Sequence, residues 1–173
     1  MLTAGGMLAQ SSPAADALDS LRALKSVTEV GVNYPDYKSR VLDAKIKVDK
    51  YLATPEKDDA AQRAKIKSAM QLYVLAERAR YAYIRRDVIV FGEVGDAVMN
   101  DSELAANPAI AEIISQSRNR KENEYNDAIY TKKQREMLIR NSRSTVSQFV
   151  GKELGANPIV LFECAAKQLA AAK

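Results

Sequence analysis

Hydrophobic residues recur every three or four positions along most of this chain, which is the spacing of an amphipathic α-helix. The first such pattern follows Ser12 and Pro13, residue types that cap and begin helices, and it continues to Gly31. Its apolar positions are Leu18, Leu21, Leu24, Val27 and Val30. The pattern predicts a first helix that begins near Pro13 and ends at Gly31.

A second pattern begins near Pro35 and ends at Thr54-Pro55. Its apolar residues follow a 3-4-3-4-3 spacing, which places them along one face of a second helix. They are Tyr34, Tyr37, Val41, Ala44, Val48 and Tyr51. The spacing does not distinguish the core of a monomer from a seam between copies, and both alternatives stay open.

The third helix is expected to begin within residues 56–59, where the acids suit the positive end of the helix dipole. It carries two apolar stripes, so we expect it to occupy a central place in a bundle. The run Val88–Phe91 is predicted to be helical, with a break allowed at Gly92 or Gly95. The first stripe is Ile66, Ala69, Tyr73, Ala76 and Tyr83, and the second is Met70, Val74, Tyr81, Ile84, Val88 and Phe91.

Shorter segments follow residue 100. The sequences 103–108 (ELAANP) and 153–158 (ELGANP) share one pattern, in which Asn can cap a helix and Pro can begin it, so both are interpreted as tight corners. The ten residues 115–124 contain no apolar side chain. They are predicted to be solvated, as an exposed helical stretch or as a linker.

The composition favours an all-α fold. Of the 173 residues, 47% are hydrophobic and 28% charged, while Gly and Pro together number only 12 (7 Gly and 5 Pro), which disfavours a turn-rich sheet protein. We predict a bundle of about five to seven helices, with long antiparallel N-terminal helices followed by shorter C-terminal ones. Residues 1–12 are predicted to be a disordered or signal-derived segment and residues 13–173 a single domain, with a subdivision near 100–107 left open.

The residue types that are missing exclude several chemistries. The chain has no His, so Ser-His-Asp and Cys-His centres, imidazole bases and mixed His/Cys zinc sites are excluded. The single Cys164 lies in the apolar segment 159–166 and is interpreted as a buried structural thiol. No catalytic set is assembled, and we predict a protein that is not an enzyme and that uses neither a cofactor nor a metal ion.

Three groups of polar residues are candidate sites, each with a structural alternative. Six tyrosines fall between residues 34 and 83. A groove for a ligand or partner is predicted between the second and third helices, near Tyr37 and Tyr73, and the alternative is that the tyrosines form edges of the core. Glu93, Asp96, Asp101 and Glu103 could hold a hard cation, although capping and solubility explain them as well.

The third group is a basic stretch, residues 118–143, whose excess of four positive charges equals the net charge of the whole chain, +4. Such a stretch can bind a polyanion, or it can be the solvated face of a helix. An anionic partner would be nucleic acid in the cytoplasm, and lipid headgroups or an acidic polymer outside it. The candidate anion-binding residues are Arg118, Arg120, Lys121, Lys132, Lys133 and Arg135.

The order T-E-V-G-V-x-Y-x-x-Y at 28–37, then Asp43-Ala44-Lys45, then A-M-x-x-Y at 69–73, resembles the N-terminal helical pair of a group of uncharacterised bacterial proteins that often have export signals. The resemblance covers residues 28–83. It implies helices and a location in the cell envelope, and it carries no activity and no site residues.

The sequence therefore favours a structural or protein-interaction module built as a helical bundle, with a protein partner or self-association. The alternative function is binding of a polyanion, either nucleic acid or an anionic surface, through residues 118–143. Nucleic acid is not the favoured partner. Ala9-Gln10-Ser11 has the small residues of a signal-peptide cleavage site, so a periplasmic or exported location is expected, with the cytoplasm as the alternative. The sequence contains no run of 18 or more apolar residues, so no membrane-spanning helix is predicted.

Overall fold

The chain folds into helices. The computed structural model describes residues 12–54, 60–126 and 142–172, and within these ranges it contains eight helices and no strand. The all-α prediction is confirmed. The helices are α1 (Pro13–Val30), α2 (Tyr34–Ala53), α3 (Ala60–Arg85), α4 (Val88–Asn100), α5 (Ser102–Ala105), α6 (Pro108–Asn126), α7 (Ser142–Ala156) and α8 (Ile159–Ala170).

The number of helices in the described residues is higher than the five to seven predicted. A break after Arg85 separates α4 from α3, and α5 is a single turn of its own. The three N-terminal helices have 18, 20 and 26 residues, and of the later helices only α6, with 19, is as long as any of them. Every described helix after α3 is shorter than α2 and α3.

Side-chain caps fix the starts of the first two helices. The Ser12 hydroxyl accepts a hydrogen bond from the Ala15 amide at 3.2 Å, and the Asn33 side chain accepts one from the Asp36 amide at 3.0 Å. Gly31, with φ 88°, ends α1 as predicted, although Val30 before it is exposed rather than buried. The predicted start of the third helix and the segment 1–11 lie outside the described residues.

Arg86 ends α3 in the left-handed conformation, with φ 56°. The Asp87 amide donates back to the Ala82 carbonyl at 3.0 Å, which is the six-to-one hydrogen bond of a Schellman motif. The Asp87 carboxylate then accepts from the amides of Ile89 and Val90, both at 3.1 Å, and so begins α4. Two helices thus meet at a corner of two residues.

Residues Val88–Phe91 are helical, as predicted. The break that was allowed at Gly92 or Gly95 occurs instead at Arg86, and α4 continues through both glycines. Neither glycine nor proline marks the true break in the sequence. Arg86 adopts the conformation that glycine usually takes, and Asp87 caps the helix that follows.

Both repeated E-L-small-A-N-P segments are corners, as predicted. Asn107 accepts a hydrogen bond from the Ala109 amide at 3.1 Å at the start of α6, and Asn157 accepts one from the Ile159 amide at 3.4 Å at the start of α8. Residues 115–124 are helical within α6, which favours the exposed helix over the linker. Ser117 is buried, so the predicted solvent exposure of this segment is wrong at that residue.

The apolar face of α2 packs into the core of its own chain. Arg63 near the start of α3 donates to the carbonyl of Leu52 at 2.6 Å near the end of α2, while Tyr34 at the start of α2 reaches Glu77. The two helices are therefore antiparallel. The face is a core face rather than a seam between copies, because five of its predicted residues are buried: Tyr37, Val41, Ala44, Val48 and Tyr51.

Helix α3 is central, as expected, and contacts α1, α2, α4, α7 and α8. One hydrophobic cluster contains buried residues from all eight helices. The first stripe of α3 is buried apart from Tyr83. The second stripe was wrong at three positions, because Tyr81 and Ile84 of α3 and Val88 of α4 are exposed, whereas its first and last residues, Met70 and Phe91, are buried. Helix α3 instead buries Ala79, whose carbonyl lies against Gly155 of α7.

Helices α4 and α7 approach so closely that glycine is required on both. A Cβ atom on Gly95 would lie 1.9 Å from the carbonyl oxygen of Ser147, and one on Gly151 would lie 2.0 Å from that of Phe91. Each glycine therefore points a Cα hydrogen at a backbone oxygen of the other helix. The pairs Gly95–Ser147 and Phe91–Gly151 also show that the two helices are antiparallel.

A polar contact lies inside the same interface. The fully buried Ser147 hydroxyl donates to the Asp96 carboxylate at 2.6 Å. A hydrogen bond to a charged acceptor is stronger than one between neutral groups. This bond fixes the register of the two helices because sliding either one by a turn would separate its partners.

We predict that Gly95→Ala and Gly151→Ala each lower the free energy of unfolding by about 3 kcal/mol, because the added methyl group meets backbone atoms that cannot rotate away. Gly92→Ala is the matched control in the same helix. Its Cβ would lie 3.7 Å from the Gln148 side chain, so it should raise stability by up to about 1 kcal/mol through helix propensity. Urea unfolding monitored by circular dichroism measures all three, and equal effects would contradict the close approach.

Candidate functional site

Tyr37 and Tyr73, which were predicted to line a groove, are both core residues. Tyr37 is 3% exposed and Tyr73 is fully buried. The structure does bring them together, since the Tyr37 hydroxyl donates to the Tyr73 carbonyl at 2.9 Å. Both rings contact Phe162 of α8, with centroids 5.4 and 6.3 Å away. Tyrosine spacing alone could not separate a groove from a core because Phe162 is distant in sequence.

Burial changes the chemistry of these two phenols. It raises the pKa of Tyr73 to about 12 and holds the pKa of Tyr37 well above its usual range, because an anion in the core loses its hydration. The Tyr73 hydroxyl has no hydrogen-bond partner within the described part of the chain. Both phenols therefore stay protonated to a higher pH than an exposed tyrosine does, as expected of side chains in a core.

A groove does lie along α2 and α3, on a different face from the two tyrosines. Its volume is 530 Å³, α3 forms its floor, and α2 on one side and α4 with α5 on the other form its walls. We name it the α3 groove. Its apolar lining consists of Val48, Leu52, Met70, Leu72, Val74, Leu75, Ala97 and Leu104.

The rim of the α3 groove is charged but balanced. Three basic and three acidic side chains line it: Lys45, Lys67 and Arg78, with Asp49, Asp101 and Glu103. Most of them already have a partner within the fold. Lys45 pairs with Asp49 on α2, Arg78 pairs with Glu93 of α4, and Asp101 caps α5.

Gln168 of α8 lines one end of the groove and is buried. Its side-chain amide donates to the Glu103 carboxylate at 2.6 Å, while its carbonyl oxygen has no hydrogen-bond partner within residues 12–54, 60–126 and 142–172. A buried acceptor without a donor costs free energy. An incoming N–H or O–H group would be favoured at this end of the groove.

The candidate anion-binding residues are only partly described. Arg118 and Arg120 are exposed on α6. Arg120 is not free for an anion, because it lies 3.5 Å from the Glu153 carboxylate and 5.7 Å from the centre of the Phe149 ring. Lys121 belongs to the same helix, and the remaining three candidates lie outside the described residues: Lys132, Lys133 and Arg135.

The four acidic residues that could have held a cation each have a structural role, and they do not form one cluster. In the ranges that the structure describes, no group of three or more Cys, Asp and Glu side chains is placed to hold a metal ion. Glu93 pairs with Arg78, Asp96 accepts from Ser147, Asp101 caps α5, and Glu103 accepts from Gln168.

Cys164 is buried, as its apolar surroundings predicted. The Asn107 amide donates to its sulfur at 3.4 Å. Burial raises the pKa of the thiol, so the nucleophilic thiolate is disfavoured at neutral pH. The thiol lies between α8 and the corner that precedes α6, where it packs as a buried structural side chain.

Comparison with known proteins gives no family: no protein-family model, curated protein or solved structure matches this chain. The resemblance of residues 28–83 to exported bacterial proteins therefore stays a prediction. Among the described helices, none has the length and apolar character that crossing a membrane requires.

We predict opposite effects for two conservative variants of the buried tyrosines. Tyr37→Phe removes the hydrogen bond to the Tyr73 carbonyl and should lower the free energy of unfolding by about 1 kcal/mol. Tyr73→Phe removes a buried hydroxyl without a partner in the described residues and should raise it by about 1 kcal/mol. Each is the control for the other in urea unfolding at neutral pH, and an equal loss in both would contradict the arrangement.

Proposed function

We propose that this protein is a non-enzymatic interaction module that binds an amphipathic helix of another protein molecule in the α3 groove. The observation that carries the proposal is the combination of an apolar floor with a charge-balanced rim. An amphipathic helix offers the matching surface, an apolar stripe with polar residues on both sides.

The geometry supports a helix as the occupant. The floor follows one helix, and the apolar residues Leu72 and Leu75 lie there between walls formed by neighbouring helices. A helix laid along such a floor packs as another member of a bundle does. The helices around this open groove therefore offer a place for one more.

The rim charges support a protein partner over a polyanion. Positive and negative groups are equal in number around the groove, so it has no net attraction for phosphates. Most of the rim charges also hold the fold through ion pairs, caps and the Gln168 contact, which leaves few of them for chemistry. Lys67 is exposed and is available to pair with an acidic residue beside the partner's apolar stripe.

The periplasmic or exported location is a separate proposal that rests on residues 9–11 and on the resemblance described above. N-terminal sequencing of the mature protein from its host, combined with fractionation, tests it. The proposed groove function does not depend on its outcome.

We predict that a photocrosslinking amino acid in place of the exposed Gln71, which lines the groove, captures one discrete protein in the native host. Leu75→Glu should remove that product and should weaken the purified complex at least about tenfold, because it places a charge on the apolar floor. Leu42→Glu is the matched control, since Leu42 is an exposed leucine of α2 outside the groove lining.

Circular dichroism and thermal melting must first show that both leucine variants fold as the parent does. A product of twice the chain's mass would identify a second copy as the partner. Absence of any discrete product, or equal loss of binding in the Leu75 and Leu42 variants, would contradict the proposal.

A further inference from the structure

Exposed apolar side chains are concentrated at the corner between α3 and α4. Nine large apolar residues are exposed in the described part of the chain, and five of them lie within the nine residues 81–89. Ile84 is 50% exposed and Ile89 is 75% exposed. We name this group the corner patch, and its apolar members are Tyr81, Tyr83, Ile84, Val88 and Ile89. Exposed apolar residues scattered singly are ordinary, whereas their concentration at one corner indicates an interaction site.

Basic residues surround the corner patch. Arg85 and Arg86 are exposed within it. The Lys38 ammonium lies 5.9 Å from the centre of the Tyr81 ring, and the Arg80 guanidinium lies 5.7 Å from that of Tyr83. Tyrosines beside cations are typical of protein surfaces that reach the boundary between lipid headgroups and acyl chains.

The acidic residues nearby offset only part of this positive charge. Asp87 accepts two amides at the start of α4, and Glu77 accepts the Tyr34 hydroxyl at 2.5 Å. Three basic side chains, Lys38, Arg85 and Arg86, therefore stand against these two carboxylates. The fourth, Arg80, donates to the carbonyls of Gly155 and Ala156 at 3.3 and 3.5 Å and so holds the end of α7. The charge of the patch complements an anionic surface.

Arg86, which ends α3 in the Schellman motif, is strained at this corner. Its φ of 56° is a conformation in which glycine carries no strain and arginine does. Residues held in such conformations cluster at functional sites. Glycine would end α3 here without strain, but it would lack the exposed basic side chain that Arg86 adds to the corner patch.

We propose that the corner patch docks this protein onto an anionic lipid surface, with Ile84 and Ile89 inserted among the headgroups and with Arg85 and Arg86 on lipid phosphates. The isoleucines disfavour nucleic acid as the occupant, because its accessible backbone is polar and charged. The proposal is independent of the α3 groove.

Co-sedimentation of the full chain with vesicles tests the proposal. We expect partition into vesicles of phosphatidylcholine with phosphatidylglycerol, little partition into phosphatidylcholine alone, and weakening by salt. Arg86→Gly should weaken the partition about fivefold, the factor that corresponds to one basic residue at an anionic surface. Ile89→Ser should weaken it at least about tenfold through lost apolar burial.

The controls separate binding from folding. Arg86→Gly relieves the backbone strain, so its melting temperature should equal or exceed that of the parent, and lost binding cannot then be attributed to unfolding. Arg40→Gln matches the loss of charge and Leu42→Ser the loss of an exposed apolar side chain, both on α2, and both should bind as the parent does. Equal partition into the two kinds of vesicle, equal weakening by these controls, or no partition at all would overturn the proposal, and the last result would leave the patch to a protein partner.

Discussion

The close approach of α4 and α7 is the constraint on which the rest of the structure depends. Helix α4 is rich in valine, isoleucine and glycine, which are poor helix formers, so packing rather than propensity keeps it helical. Gly95 and Gly151 let the two backbones touch, and the bond from Ser147 to Asp96 fixes their register. Any larger side chain at either glycine would force the helices apart.

Both candidate surfaces are built partly from α4. Ala97 and the residues that follow α4 form one wall of the α3 groove, and Val88 and Ile89 at its start belong to the corner patch. A shift of α4 would therefore change both surfaces together. Helix α2 forms the opposite wall. Its buried face, which carries tyrosine and valine side chains, packs α2 against α3.

Local signals in the sequence predicted much of the fold. The caps at Ser12, the 3-4-3-4-3 face of α2 and the two asparagine-proline corners are encoded by neighbouring residues, and the structure confirms them. The sequence could not show which face of α3 meets α7, because Ala79 is buried by a glycine 76 positions away. The sequence predicted a groove between the second and third helices but not its position, because one wall comes from α4 and α5, which are distant in the chain. The exposure of Tyr81, Ile84 and Val88 was likewise not predicted.

Native-state hydrogen exchange tests most directly whether the contact between α4 and α7 holds the molecule together. The amides of Val94 and Val98 in α4, and of Val150 and Leu154 in α7, should exchange only through global unfolding, with one common free energy equal to that from urea unfolding. Exchange of these four amides through a partial opening of much lower free energy, while the buried amides of α2 and α3 stay protected, would contradict it.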